Sequence, residues 1–463
     1  MNLNLSKFNG EMMYEKNFIH LKNQMGVNLT HIINKNSPML PFVTREPERV
    51  KFKKGFNGII GEFARLSSNK EWSEDISINN LINKILLKNE NIKCSDENKK
   101  YLIKIIKDYI VNENNELNIF HPHLFLYLPL SDNSQKAGEK KIAEFINNVF
   151  FMDIDTKEFF DHMGSDQVMI KFILDNILEL SEKYRDSKYI AVLPFICDVF
   201  KEDWLFVRQH ENFLVNNLEY ILAYYYFYYC SQFSLKLQQN YDIVNLNKPT
   251  EIYYLLDSEK ASKSRKSINN GYNLIKKSNK DLLVNINIIE HLNILAGTQG
   301  LFPFQIYELL ENDVNYNKEE YLKILNKWIQ FYNNEKQLEA INSLMDFKSL
   351  EKTLFNSINQ CIQQAPKSRY AKNLEEVAKK YFAKGRGQYG LILTLNKDML
   401  YILTALCVKK DKIKLTDLFK EFEYRGIFFD RYSKNEVITI LNNWNLIDKK
   451  SDSGDAQYVK SIL

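Results

Sequence analysis

The chain has 463 residues, 45% of them hydrophobic and 26% charged, with a formal net charge of +4. This balance belongs to a globular chain able to bury its own core and excludes a disordered polyelectrolyte. Cys94, Cys197, Cys230, Cys361 and Cys407 are odd in number and far apart, which excludes a regular disulfide framework and a thiolate zinc site.

Residues 1–60 are irregular, punctuated by Pro38, Pro41, Pro47, Gly55 and Gly58, with Gly61 just beyond, around a basic stretch of Arg45, Arg49, Lys51, Lys53 and Lys54. An extended arm or loop is expected there. No positively charged leader with an apolar centre opens the chain, so the expected location is cytoplasmic. Helical periodicity begins at Ile76–Leu87 and resumes at Asn98–Val111. Pro122, Pro129, Ser131, Ser134 and Gly138 then break it, and helices are expected over Glu139–Val149, Asp166–Lys183, Ile190–Phe200 and Trp204–Gln238.

The last of these contains the dominant feature of the sequence. From Tyr220 to Cys230 every residue is apolar or aromatic, with no Gly or Pro, so the helix has no polar face at its middle and must be buried. The run is far shorter than the roughly 20 residues that span a bilayer, and Asn216, Asn217 and Glu219 stand just upstream. It is expected to be the spine of a helical core, not a membrane span. After Pro249, Ile252–Leu256 reads as a short strand or helical turn; helices follow at Leu282–Leu295, Glu319–Tyr332 and Lys348–Gln364.

The C-terminal stretch reads as helix (Lys397–Val408), short strand (Ile413–Leu415), helix capped by Thr416 and ended at Gly426, helix opened by a Ser433/Glu436 capping box, then a hairpin around Ser451–Asp455. That is the order of a winged helix. The expected fold is therefore mainly α: a multi-helix bundle-like body with a C-terminal winged-helix-like module. Its parts are an N-terminal arm and helical region (1–130), a helical core with the aromatic spine and two basic patches (139–385), and the module (390–463).

Charge is unevenly distributed. Residues 260–280 carry Lys260, Lys263, Arg265, Lys266, Lys276, Lys277 and Lys280 and no acid; residues 367–386 carry Lys367, Arg369, Lys372, Lys379, Lys380, Lys384 and Arg386 against Glu375 and Glu376. The rest of the chain is net negative, a pattern that suits a polyanion-facing surface, although a solvated helix face has the same composition. Between its cations the first block holds Ser262, Ser264 and Ser267, further donors of the kind that contact phosphates. In the module, Lys434 falls at the start of the third helix and Lys449 and Lys450 at the base of the hairpin. Twelve cations against ten acids over 397–463, with Asp452 and Asp455 at the hairpin tip, leave DNA reading and protein docking both open.

Gly385-Arg386-Gly387-Gln388-Tyr389-Gly390 satisfies G-x-G-x-x-G, but a dinucleotide site needs a strand before and a helix after, and here the helical pattern precedes and the strand candidate Ile392–Leu395 follows. A helix-to-strand turn and a loop whose N–H groups and Arg386 approach a phosphate backbone remain. No G-x-x-x-x-G-K-[ST] or G-x-S-x-G occurs, and His121, His123, His162 and His291 lack ligand spacing, so no catalytic residue, cofactor or metal is expected. No residue set points to a metal-dependent nuclease, which stays as a third alternative.

The stretches Tyr381–Gly390, Phe428–Ser433 and Asp448–Val459, with the aromatic run around Tyr224–Tyr229, resemble the DptG family, components of the bacterial DNA phosphorothioation-dependent restriction system. The resemblance covers the C-terminal third. It implies a non-catalytic, DNA-associated scaffold subunit that works on unmodified double-stranded DNA beside a DptF-like NTPase and a DptH-like helicase or ATPase. The alternative is a protein-interaction adaptor that docks the ATPase partner without touching DNA. The residues expected to meet DNA are Lys260, Lys263, Arg265, Lys266, Lys379, Lys380, Lys384, Arg386, Lys434, Lys449 and Lys450.

Overall fold

The aromatic run forms the longest helix of the structure, a computed structural model. It describes residues 38–43, 50–71, 95–449 and 457–463, apart from positions 114, 132, 178, 186–187, 240, 242–243 and 341–345, together with residues 19–21, 29–31, 81, 82 and 85. Ile19–Leu21 and Leu29–His31 are an antiparallel strand pair. Most of the helix expected at Ile76–Leu87 lies outside the described residues.

The architecture is mainly helical. Helices α1 (Asn57–Ser67), α2 (Asn133–Phe150), α3 (Pro194–Val207) and α4 (Glu211–Lys236) form the first part of the body. In α4, which carries the aromatic run, every residue from Ile221 to Lys236 is buried. Among the described residues no helix is long and apolar enough to cross a membrane. Four of the tyrosines tolerate burial because their hydroxyls find partners: Tyr224 donates to the Arg425 carbonyl, Tyr225 to Asp203 and Tyr228 to the Tyr424 carbonyl at 3.1 Å, while Tyr229 accepts from Val192 N at 2.8 Å. Burial holds all four far above the ordinary phenol pKa, so they stay neutral. Around them Phe145, Phe150 and Phe200 present ring edges, with Phe200 and Tyr225 centroids 4.9 Å apart at 81°.

Residues 57–67 correct the expectation of an irregular arm. They form a buried helix, and its glycines are contact points instead of breakers. A Cβ on Gly61 would lie 2.3 Å from the Leu128 carbonyl oxygen, and one on Gly58 would lie 2.4 Å from Glu139 Oε2. The missing side chains let α1 lie against α2 and the 3-10 turn Pro122–Tyr127. Helix α2 starts at Asn133, six residues before the expected position, so the Pro/Ser-rich stretch is shorter than it reads.

Helices α5 (Leu282–Ala296), α6 (Lys318–Glu335) and α7 (Phe347–Cys361) pack on one another, α5 ending at Gly297 in the left-handed conformation (φ 69°). Strands β1 (Ala383–Gly385) and β2 (Leu391–Leu393) form an antiparallel hairpin. The C-terminal unit follows: α8 (Lys397–Cys407), β3 (Lys412–Lys414), α9 (Leu415–Tyr424), α10 (Arg431–Asn443), β4 (Ile447–Lys449) and β5 (Gln457–Lys460). Its strands make a three-stranded antiparallel sheet in the order β3-β5-β4, with Val459 opposite both Ile413 and Ile447. Two caps differ from expectation. Helix α10 begins one turn earlier than the Ser433/Glu436 box, because Asp430 accepts from Ser433 N at 2.8 Å, and α9 has no side-chain cap at Lys414.

The unit is locked to the body by a buried ion cluster. The Arg425 guanidinium grips Asp203 bidentately at 2.6 and 2.8 Å, Lys409 reaches Asp203 at 2.9 Å and Glu421 meets Arg425 at 2.6 Å. Gly426 (φ 77°) follows because any Cβ there would lie 2.1 Å from the Tyr228 ring. One apolar cluster runs from Met39 to Val459, across both expected domain boundaries.

Candidate nucleic-acid interface

The segment Ile252–Leu256, read as a strand or a helical turn, is extended and serves as the joint of this region. Tyr254 N donates to the Phe428 carbonyl at 2.9 Å, Phe428 N to Ile252 at 3.1 Å, Leu255 N to Leu393 at 3.0 Å and Leu395 N to Leu255 at 2.8 Å. Both bridges it makes, Tyr253 to Phe428 and Leu255 to Thr394, are parallel. A short apolar stretch thus fixes the first basic block beside the β1–β2 hairpin and the entry to α10.

The glycine loop lies in that hairpin, so it is a strand-to-strand turn, which corrects the helix-to-strand alternative of the two readings. Arg386 N donates to the Gly390 carbonyl at 2.7 Å, and Gly387 and Gly390 have φ of 46° and 71°. Neither Gly385 nor Gly387 has an atom within 4 Å of a built Cβ, so the turn's outer face is open. The Arg386 guanidinium bends back onto Ser258 Oγ at 2.7 and 2.9 Å and approaches Glu259 at 3.4 Å.

The tertiary structure supplies an acid to the first block, which has none in sequence, while a cation of the second pairs with an acid of its own block. Lys260 pairs with Glu436 of α10, 176 residues away, and this hydrogen bond raises the lysine pKa above its usual value. Lys260 and Lys263 both sit 5.6 Å from the Tyr432 ring centroid, and Lys266 lies 5.0 Å over Tyr253 with its Nζ 3.2 Å from that hydroxyl. Lys379 pairs with Glu375, and Lys434 bonds Glu423 at 3.1 Å over the Phe419 ring, so it faces α9. Arg265 and Lys384 are exposed, with no ion-pair partner among the described residues. Lys449 ends β4 and nothing is described of its side chain; Lys450, Asp452 and Asp455 lie outside the described residues.

Three clefts adjoin along this face. The first, about 260 Å³, is lined by Ser258, Glu259, Ser262, Gly385 and Arg386. The second, about 410 Å³, lies between Leu256, Lys260, Leu395, Lys397, Glu436 and Ile440. The third, about 470 Å³, is lined by Lys53, Lys54, Glu116, Glu219, Lys380 and Tyr381, and shares Asn396 with the second. Sequence reading missed Lys53, Lys54 and Lys397 as members of the site. The only signal for the first two was the N-terminal basic stretch, which Lys380 reaches by donating to the Lys53 carbonyl at 3.4 Å.

His121 and His123 are both held by backbone carbonyls. His123 Nδ1 bonds the Phe160 carbonyl at 2.7 Å and His121 Nε2 the Gly164 carbonyl at 3.2 Å; burial lowers both pKa values. Among the described residues no group of three His, Cys, Asp or Glu side chains could hold a metal ion. Compared with known proteins, the sequence matches no family model and no curated entry.

Proposed function

We propose that this chain is a non-catalytic, DNA-associated scaffold subunit of a phosphorothioation-dependent restriction complex. It works in the cytoplasm on unmodified double-stranded DNA, beside a DptF-like NTPase and a DptH-like helicase or ATPase. The observation that carries the DNA part is the convergence of Lys53, Lys54 and Lys380 on the third cleft, beside two further clefts where Lys260 and Arg386 each stand next to an acid. Cations gathered from distant parts of a chain on one face are the electrostatic footprint of a polyanion partner. The restriction context rests on the resemblance of the C-terminal third. The C-terminal unit is taken to be a winged helix, since three helices and a three-stranded sheet occur in that order. Reversing Lys380, Lys384 and Arg386 to Glu should weaken duplex binding and flatten its salt dependence in a gel-shift titration; unchanged binding refutes the assignment.

The adaptor reading has its own observation. Arg431, Asn435, Thr439 and Asn442 form the exposed face of α10, with one cation among four positions. Deleting residues 397–463 would expose Asp203, Tyr224 and Tyr228, so surface substitutions test it better. If Asn435→Asp with Asn442→Asp abolishes co-purification of the ATPase partner and the chain binds no duplex, the adaptor reading stands instead.

A further inference from the structure

We propose that the third cleft opens a track for single-stranded nucleic acid, with Lys53, Lys54 and Lys380 on the phosphates and bases stacking along Tyr220, Phe213, Tyr401 and Trp444. The proposal rests on the nucleic-acid reading above and extends it to a strand form and residues outside the basic blocks.

The cleft is built from three remote stretches. Lys53 and Lys54 stand on the turn before α1, which Gly55 N closes onto the Phe52 carbonyl at 3.0 Å. Lys380 comes from the far end of the chain and touches the Lys53 carbonyl. Two carboxylates share the wall. Glu219 is turned inward, where its Oε1 accepts from Phe56 N at 3.3 Å and from the Tyr381 hydroxyl, and Glu116 is half-buried. Gly55 permits this, because a Cβ there would stand 2.0 Å from Glu219 Oε1. All three lysines remain exposed.

An aromatic row leaves this cleft. Tyr381 and Tyr220 meet at 5.9 Å with planes at 83°. Tyr220 and Phe213 are seven residues apart on α4 and so share a face. Phe213 lies 6.4 Å from Tyr401, and Tyr401 lies 5.7 Å from Trp444 at 86°. Tyr401 is 41% exposed, unlike the sealed rings further along α4. Cationic grooves beside aromatic rows are the physical recipe for holding unpaired bases, whose π faces a duplex keeps stacked on each other.

The test is fluorescence anisotropy of the full chain with a short labelled oligothymidine and, in parallel, a duplex of equal length. Tyr401→Ala should weaken oligothymidine binding about fivefold or more and leave the duplex unaffected, while Tyr401→Phe binds like the parent. Lys53→Ala, Lys54→Ala and Lys380→Ala together should lower the slope of log affinity against log salt by about 2. Oligothymidine binding that ignores these changes overturns the track, as does its absence or equal displacement by polyglutamate from the parent and Tyr401→Ala. Duplex binding that ignores Lys384 and Arg386, with oligothymidine still dependent on Tyr401, overturns the duplex reading alone.

Discussion

Replacing Asp203 by Ala removes the carboxylate at the centre of the joint between the body and the C-terminal unit. Arg425 is 0% exposed, so its guanidinium stays in the core with Glu421 Oε2 at 2.6 Å and the Glu421 and Leu406 carbonyls at 3.1 and 3.4 Å. Lys409 keeps only Glu202, at 3.6 Å, and the buried Tyr225 hydroxyl loses its acceptor. Breaking a buried ion pair by removing one partner costs about 3–5 kcal/mol. Glu421 holds the effect toward the lower end of that range. Arg425→Met should cost less, because Asp203 keeps Lys409 and Tyr225 and the methionine fills much of the volume. The double variant should cost clearly less than the sum of the two, since each single change strands the other's partner. Urea unfolding followed by fluorescence reads all three, with Trp204 adjacent to Asp203 and Trp444 in the C-terminal unit reporting the two sides. A loss below about 1 kcal/mol for Asp203→Ala, or full additivity, refutes the account of the cluster as the clamp.

Gly61→Ala should destabilise by about 1–3 kcal/mol, because its Cβ meets a backbone oxygen that cannot rotate away; an unchanged thermal midpoint would show that α1 shifts freely. Acid should weaken the fold before the carboxylates titrate. With His121 and His123 lowered by burial, the unfolded chain binds protons more readily, so their contribution is intact above about pH 6.5 and is lost as pH falls from there toward the folded pKa values. His123→Gln should flatten that arm of the stability profile, and a slope equal to the parent's would assign it elsewhere.

How much of this was legible depended on the range of the interactions. The spine was read from an unbroken run of apolar residues, which buries a helix wherever it lies, and α4 occupies Glu211–Lys236 where Trp204–Gln238 was expected. The terminal helices were equally clear, since periodicity and turn residues act over a few positions, although their caps were misplaced because Asp430 outcompeted Ser433. Helix α1 was missed for a definite reason. Glycine reads as a breaker when only its conformational freedom is counted, and Gly58 and Gly61 serve a helix whose neighbours come too close for a Cβ.

The candidate site divides the same way. Its cations were visible as two basic blocks, one of them free of acids, because composition along a chain needs no fold. Their partners were not. Lys260 is neutralised by Glu436 across 176 residues, while Lys380 meets Lys53 across 327. The sequence alone determined the aromatic spine, the terminal helices and which segments are basic, as these follow from near neighbours. Only the tertiary structure decided which lysines are spent on ion pairs and which stand free around a cleft, because Coulomb interaction falls with distance in space and is indifferent to separation along the chain.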